Sequence, residues 1–355
     1  MAKTREKSMW NFDWPKAYPA TQAQGILKLN PEDFVVEEIP LMSPIGEGEH
    51  VYLQVRKRAV NTHWVARLLA EKFGVKEQDV SYAGQKDRYA VTTQWFSIYA
   101  PKSELQLDTR PFSEEDIEIL VQTRHSKKLR RGDLVGNRFN ISLQHITAAD
   151  GSNLEALKQA VESNLAQIKK GGVPNYFGLQ RFGRDGGNMD QALAMLTGQR
   201  REKNRQKKSM YLSAARSYIF NEVIAARIKQ GGWGKILDGD VDVEKKPVNI
   251  ARLATAPMWG RGRLPSQNET LLLEKTVSGP NHELSEGMEF SGLNMERRVI
   301  VSNPENMQWQ WQTCQDNQLS LTISFALAAG HYATSVLQEF IVVAEPERFE
   351  QGRGL

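Results

Sequence analysis

Residues 137–146, NRFNISLQHI, constrain the fold more than any other stretch. Phe139, Ile141 and Leu143 fall on one face and Arg138, Asn140, Ser142 and Gln144 on the other, the period of a strand with one buried side. Further strand signals stand at FVVEEI (34–39) and HVYLQVR (50–56), which flank a Gly-Glu-Gly-Glu turn, and at QWFSIY (94–99) and LTISFALAAG (321–330). Helical spacing occurs between them. Thr62 can cap a helix through Trp64, Val65, Leu68, Leu69 and Phe73 that stops at Gly74. Ser152 and Glu155 form a capping box for a helix carrying Leu154, Leu157, Val161, Leu165 and Ile168. A longer helix is predicted over about 202–229, with Leu212, Ala215, Ile219, Val223 and Ala226 at helical spacing.

Residues 231–318 differ in kind: prolines, glycines and short strand candidates such as TLLLEK. HYATSVLQEFI then predicts a closing helix. Early strands, a helical and irregular middle, and a late strand–helix pair imply an inserted domain inside a sheet-based α+β domain. At 355 residues the chain is long enough for about two such domains.

Composition excludes several classes. A 40% hydrophobic, 25% charged chain is ordinary for a globular protein. The one cysteine, Cys314, cannot build an internal disulfide, so a cytoplasmic setting is expected. No apolar run approaches the roughly 20 residues of a membrane span, and the N-terminal residues show no secretory signal. Net charge is only +4, but it is segregated. Arg124, Lys127, Lys128, Arg130 and Arg131 form one basic run; Arg200, Arg201, Lys203, Arg205, Lys207 and Lys208 form another. Either run alone reads equally well as a solvated face, whereas both together point to a polyanion such as nucleic acid.

Spacing removes common chemistries. There is no phosphate-binding GxxxxGK[ST] loop, no GxGxxG after a strand and no GxSxG elbow. The six histidines lack HExxH spacing and a CxxC partner, so no metal site is expected, and the ligands of a zinc base deaminase are missing. A carboxylate is left as the chemical group. One stretch offers it: AGQKDRYAVTTQWF, 83–96, sets Asp87 between Lys86 and Arg88, between two strand candidates. Nearby cations favour an ionised carboxylate, though a turn residue bonding its own backbone is the commoner fate of a loop Asp. Adjacent side chains diverge, so Lys86 and Arg88 cannot both point where Asp87 points; one is expected to pair with an acid. Thr92 and Gln94 are expected to support the loop from behind.

Ala83 to Gln94 fit A-G-x-K-D-x-x-A-x-T-x-Q at every specified position, and this stretch resembles the signature of the tRNA pseudouridine synthase D (TruD) family. DFVVEE (33–38), GNRF (136–139), NYFGLQRFG (175–183) and GHYATSVLQE (330–339) extend the resemblance in order, thinnest over roughly 186–310. It implies a pseudouridine-synthase-like fold: a mixed, mostly antiparallel sheet flanked by helices, with a large inserted α/β TRUD domain. Expected boundaries are 1–163 and 312–355 for the catalytic domain and 164–311 for the insertion. It further implies an enzyme that isomerises a uridine of tRNA, uridine 13, to pseudouridine without cofactor, nucleotide or metal, acting as a monomer on tRNA.

By the same resemblance Asp87 is the catalytic carboxylate, as nucleophile or as base toward the sugar, with Lys86 beside it. Phe34, Asn137 and Tyr332 would hold the uracil, with Phe139 a neighbouring candidate. Read without the family, Phe34 and Phe139 are strand core and Asn137 is a turn residue. Many family members carry Phe where this chain has Tyr332, and Pro where it has Ala328; the added hydroxyl needs a partner if buried. The basic runs would grip phosphates. A non-catalytic tRNA-binding module or RNA chaperone is the alternative, and an RNA-hydrolysing enzyme ranks behind it for want of a histidine partner.

Overall fold

The computed structural model describes residues 10–101, 116–151, 153–313 and 318–347, so the expected Ser152 cap and the setting of Cys314 lie outside the described residues. In chain order the first elements are β1 (Ala23–Leu27), β2 (Phe34–Pro40), β3 (His50–Arg58), α1 (Thr62–Phe73) and β4 (Val80–Tyr82). Next come β5 (Val91–Tyr99), β6 (Ile117–His125), β7 (Leu134–Ala148) and α2 (Leu154–Gly171). The middle holds β8 (Val173–Pro174), α3 (Gly187–Leu196), α4 (Arg205–Lys229), β9 (Thr255–Met258), α5 (Asn268–Ser278), α6 (His282–Glu289), β10 (Glu296–Val299) and β11 (Val301–Ser302). The chain closes with β12 (Glu305–Thr313), β13 (Leu319–Ala328), α7 (Ala333–Leu337) and β14 (Val342–Ala344). No described helix is long and apolar enough to cross a membrane.

Two compact units result. One comprises Thr21–Val161, Pro304–His331 and Ile341–Leu355; the other comprises Met1–Ala20, Glu162–Asn303 and Tyr332–Phe340. The first carries a ten-stranded sheet in the order β12-β13-β7-β2-β5-β3-β6, with β1 joined to β7 and β14, and β4 to β5. β1–β14 and β2–β5 are parallel and the other pairs antiparallel, so the sheet is mixed and mostly antiparallel, as expected.

The alternating stretch is the middle of β7, which lies between β13 and β2. Gly136 opens its GNRF block because a Cβ there would collide with the Leu327 carbonyl across the ladder. β2 and β3 flank the Gly-Glu-Gly-Glu stretch but do not pair; β5 runs between them. Alternation identifies a strand without naming its neighbour. α1 packs Val65, Ala66, Leu69 and Ala70 against Val51, Leu53 and Val55 of β3 and Phe96 and Ile98 of β5.

Three element expectations need correction. Thr62 is the first residue of α1 and not its cap; Asn61 holds the cap position, and Gly74 ends the helix with φ 63°. TLLLEK lies in α5, a helix: Thr270, Leu273 and Glu274 are buried while Leu272 is exposed, a spacing of three to four that a short leucine run does not separate from a strand. The closing helix is only five residues, after which Val342–Ala344 pairs with β1. At the start of α2 the Asn153 side chain accepts the Glu155 amide at 2.7 Å.

The second unit is built around α4. Trp10, Tyr176, Phe177, Phe182, Tyr218, Phe220, Trp233 and Trp259 share one apolar core. The segment entering from the N-terminal side is held by side-chain bonds as well as by rings. Trp10 donates to Asp190 at 2.8 Å, Trp14 to Glu222 at 2.6 Å, and Glu339 accepts the Ala17 amide at 2.8 Å.

Candidate active site

The loop that follows β4 is tied down by side chains from three elements. Gln94, fully buried in β5, donates from Nε2 to the Gly84 carbonyl at 3.0 Å. The Thr62 hydroxyl accepts the Lys86 amide at 3.0 Å and sits 3.1 Å from Gln94 Oε1. That is why Thr62 is not spent on capping its own helix. Lys57 donates from Nζ to the Asp87 carbonyl at 2.8 Å. Residues 84, 86 and 87 are therefore fixed through their backbones, which leaves the Asp87 side chain unencumbered. β5 begins at Val91, so Thr92 and Gln94 belong to the strand; Gln94 supports the loop, whereas the Thr92 hydroxyl finds no partner among the described residues.

Lys57 lies on the apolar face of β3 with Val51, Leu53 and Val55 and is 1% exposed. Burial pushes its pKa down to about 8, against the pull of Asp87 and with a further push from Lys86. A lysine on the inward phase of an alternating strand was a legible signal, and the sequence reading passed over it.

Asp87 keeps about half of its side chain exposed and lies 3.6 Å from Lys28 Nζ. The same ammonium binds Glu345 at 3.2 Å and stands 4.6 Å from the centre of the Phe34 ring. Lys86 turns away, as adjacent residues must, and pairs with Glu38 at 2.6 Å, both side chains almost wholly buried. Glu38 also accepts the Trp95 amide at 3.2 Å. Arg88 lies 5.4 Å from the Tyr89 ring. Lys28 carried no sequence signal; Glu38 stood inside the DFVVEE block without an assigned role.

Register brings the remaining sheet residues together. Phe34, Val36 and Glu38 of β2 stand opposite Ile141, Phe139 and Asn137 of β7, so these six share one face. Phe34 meets Phe139 edge-on at 6.1 Å, and Phe139 lies 5.5 Å from Phe325. Both Phe34 and Phe139 are buried, so each serves the sheet core whatever else it does. Asn137 differs. Its Oδ1 is buried and makes no hydrogen bond among the described residues. A buried amide acceptor without a donor is costly unless a ligand supplies one.

Tyr332 belongs to the other unit, just ahead of α7. Its hydroxyl accepts from Arg181 Nη2 at 2.8 Å and its ring lies 6.1 Å from that of Phe177. Phe177 is clamped through its backbone: its amide donates to Asn221 Oδ1 at 2.9 Å and its carbonyl accepts from Asn221 Nδ2 at 3.0 Å. The extra hydroxyl relative to phenylalanine thus has its partner, and NYFGLQRFG meets the block around Tyr332.

The basic residues divide between the units. Lys127, Lys128, Arg130 and Arg131 are exposed on the turn between β6 and β7. Arg124 donates instead to the Gly48 carbonyl at 2.7 Å and the Ala100 carbonyl at 3.3 Å. In the other unit Arg200 contacts Gln191 and Glu202, Arg201 is exposed ahead of α4, and Lys207 and Lys208 are exposed in its first turn. No group of three or more His, Cys, Asp or Glu side chains among the described residues could hold a metal ion.

A family model described as tRNA pseudouridine synthase D (TruD) matches residues 17–202. A curated tRNA pseudouridine synthase D of Aeromonas hydrophila is 43% identical over 345 residues, covering 92% of this chain and 94% of that one. The chain belongs to the TruD family. The protein of that name in Methylococcus capsulatus is 39% identical over 347 residues, covering 93% of this chain and 94% of its own length. A crystal structure from Methanosarcina mazei, bearing the TruD description, superposes with a TM-score of 0.67 at 22% identity over 92% of this chain and 94% of that one, a likeness of fold. The stretch matched to the TruD model includes Phe34, Asp87, Asn137 and NYFGLQRFG and ends before Tyr332.

Proposed function

We propose that this TruD-family chain, an RNA uridine isomerase by its membership, converts uridine 13 of tRNA to pseudouridine with Asp87 as the catalytic carboxylate. The observation that carries the reading is the loop itself. Three side chains hold its backbone while the Asp87 carboxylate stays half-exposed beside the Lys28 ammonium. Such a carboxylate can approach a ribose without first giving up a hydrogen bond within the protein.

In the reaction the N1–C1′ bond breaks, the uracil turns, the C5–C1′ bond forms, the proton on C5 passes to a base, and N1 takes up a proton, so the product is an isomer of the substrate. Asp87 acts at the sugar, as nucleophile toward C1′ or as base. Asn137 Oδ1 accepts the uracil N3–H, which satisfies the buried acceptor. Phe34 and Phe139 back that face and Lys86 neutralises Glu38 beneath it, while a stacking role for the Tyr332 ring rests on the family resemblance.

The exposed basic residues hold the tRNA backbone. α4 supports this for the second run. Arg205, Lys207 and Lys208 occupy its first turn, with no acid there, against the preference of a helix N-terminus for negative charge. An external phosphate relieves that conflict. On this reading 164–311 is the inserted domain, and the protein works as a monomer in the cytoplasm.

The test is release of tritium from C5 of uridine in tRNA, for the native chain and for Asp87→Asn. Release by the native chain that vanishes in the variant, with tRNA affinity kept, is the expected result. Undiminished release by Asp87→Asn removes Asp87 from the chemistry. Binding without release by the native chain leaves a tRNA-binding module. Sequencing the product for pseudouridine checks position 13.

A further inference from the structure

Arg181 is half-buried, yet its partners are neutral. Nη1 donates to the Ser213 hydroxyl at 3.1 Å and Nη2 to the Tyr332 hydroxyl at 2.8 Å, while Cζ lies 5.3 Å from the centre of the Phe177 ring. No carboxylate among the described residues forms an ion pair with it, although Arg227 and Arg297 of the same unit each have one, Asp240 at 2.6 Å and Glu274 at 2.8 Å. A second guanidinium stands against the same ring: Arg298 Cζ lies 4.4 Å from its centre and Nη2 donates to Asn175 Oδ1 at 2.7 Å. Burial pushes the Arg298 pKa down to about 10, with Tyr332 acting to raise it and Arg181 lowering it further.

Two cations sharing one aromatic ring repel each other, and a desolvated cation held by hydroxyls and a ring recovers only part of its lost hydration. The frame around them is rigid. Asn221 clamps the Phe177 backbone, and Asn188 Nδ2 donates to the Arg181 carbonyl at 3.1 Å. Arg181 therefore starts from a fixed backbone position, and its guanidinium is held by the Ser213 and Tyr332 hydroxyls. A guanidinium carries five N–H donors, and the bonds to Ser213 and Tyr332 leave it able to take an oxyanion in bidentate fashion.

We propose that Arg181 is an anion subsite for one phosphodiester of the bound RNA beside the target uridine, and that its bond to the Tyr332 hydroxyl links that phosphate to the placement of the Tyr332 ring. The proposal rests on reading Tyr332 as part of the uracil site. It gives the tyrosine hydroxyl a use that phenylalanine lacks.

The experiment measures equilibrium binding of tRNA in which each phosphate flanking uridine 13 is replaced in turn by an uncharged methylphosphonate. The native chain should lose about tenfold to a hundredfold in affinity at one of these positions. Arg181→Met should be weakened by a similar factor with unmodified tRNA, should ignore the methylphosphonate at that position, and should show a salt slope smaller by about one. Arg181→Lys keeps the charge and should keep the slope, which separates loss of the anion contact from misfolding. Tyr332→Phe should keep the sensitivity to the neutralised phosphate and alter turnover. Native protein indifferent to every flanking methylphosphonate, or Arg181→Met as sensitive as the native chain, overturns the proposal. Binding is read without turnover, so a failure of tritium release, which would defeat the isomerase reading, leaves this result separately interpretable.

Discussion

Replacing Lys86 by methionine should destabilise the sheet unit severely, because Lys86 is the counter-ion of a carboxylate that has almost no access to water. The Lys86–Glu38 pair is 2.6 Å long and its side chains are 6% and 1% exposed. Among the described residues Glu38 keeps the Trp95 amide, at 3.2 Å, as a further donor. Methionine preserves most of the alkyl volume, so packing changes little and the cost is that of an uncompensated buried charge, about 3–5 kcal/mol. For a unit of this size that corresponds to a midpoint lowered by roughly 6–20 °C. Adding Glu38→Gln removes the stranded charge while keeping an acceptor for Trp95. The double variant should therefore recover at least about 2 kcal/mol over Lys86→Met. Calorimetry with urea titration of the three proteins provides the assay. A Lys86→Met variant within about 1 kcal/mol of the native chain, or a double variant no more stable than the single one, refutes the reasoning.

Two further outcomes follow from the other unit. Reversing Lys207 and Lys208 to Glu should weaken tRNA binding and lower its salt slope by up to about two. The same change should stabilise α4 by about 0.3–1 kcal/mol per residue, because acids suit a helix N-terminus; unchanged affinity at low salt would discard the phosphate role. Glu339, fully buried, has its pKa raised from 4.5 to about 7 by burial, against the pull of the Ala17 and Tyr18 amides and Lys16. The folded state then holds a proton that the unfolded state gives up, so stability should fall as pH rises from about 4.5 to about 7 and level off above. Glu339→Gln keeps an oxygen for the Ala17 amide and should flatten that dependence, gaining on the native chain at pH 8 relative to pH 5. A variant whose pH profile matches the native one would remove Glu339 as its source.

The sequence by itself determined the period-2 strands, the α+β class and the family, because alternation and contiguous motifs are local properties of a chain. Ala83 to Gln94 identified the loop, and NRFNISLQHI identified β7. Only the tertiary structure decided which strands are neighbours, that β5 divides β2 from β3, and that TLLLEK is helical. It also decided the partners of the charged residues. Lys86 answers to Glu38, 48 positions away, the Asp87 backbone to Lys57, and Tyr332 to Arg181, 151 positions away. No local pattern encodes such pairs. An ion pair or a hydrogen bond depends on distance in space and on the water removed around it, and both are set only when the strands and helices have packed.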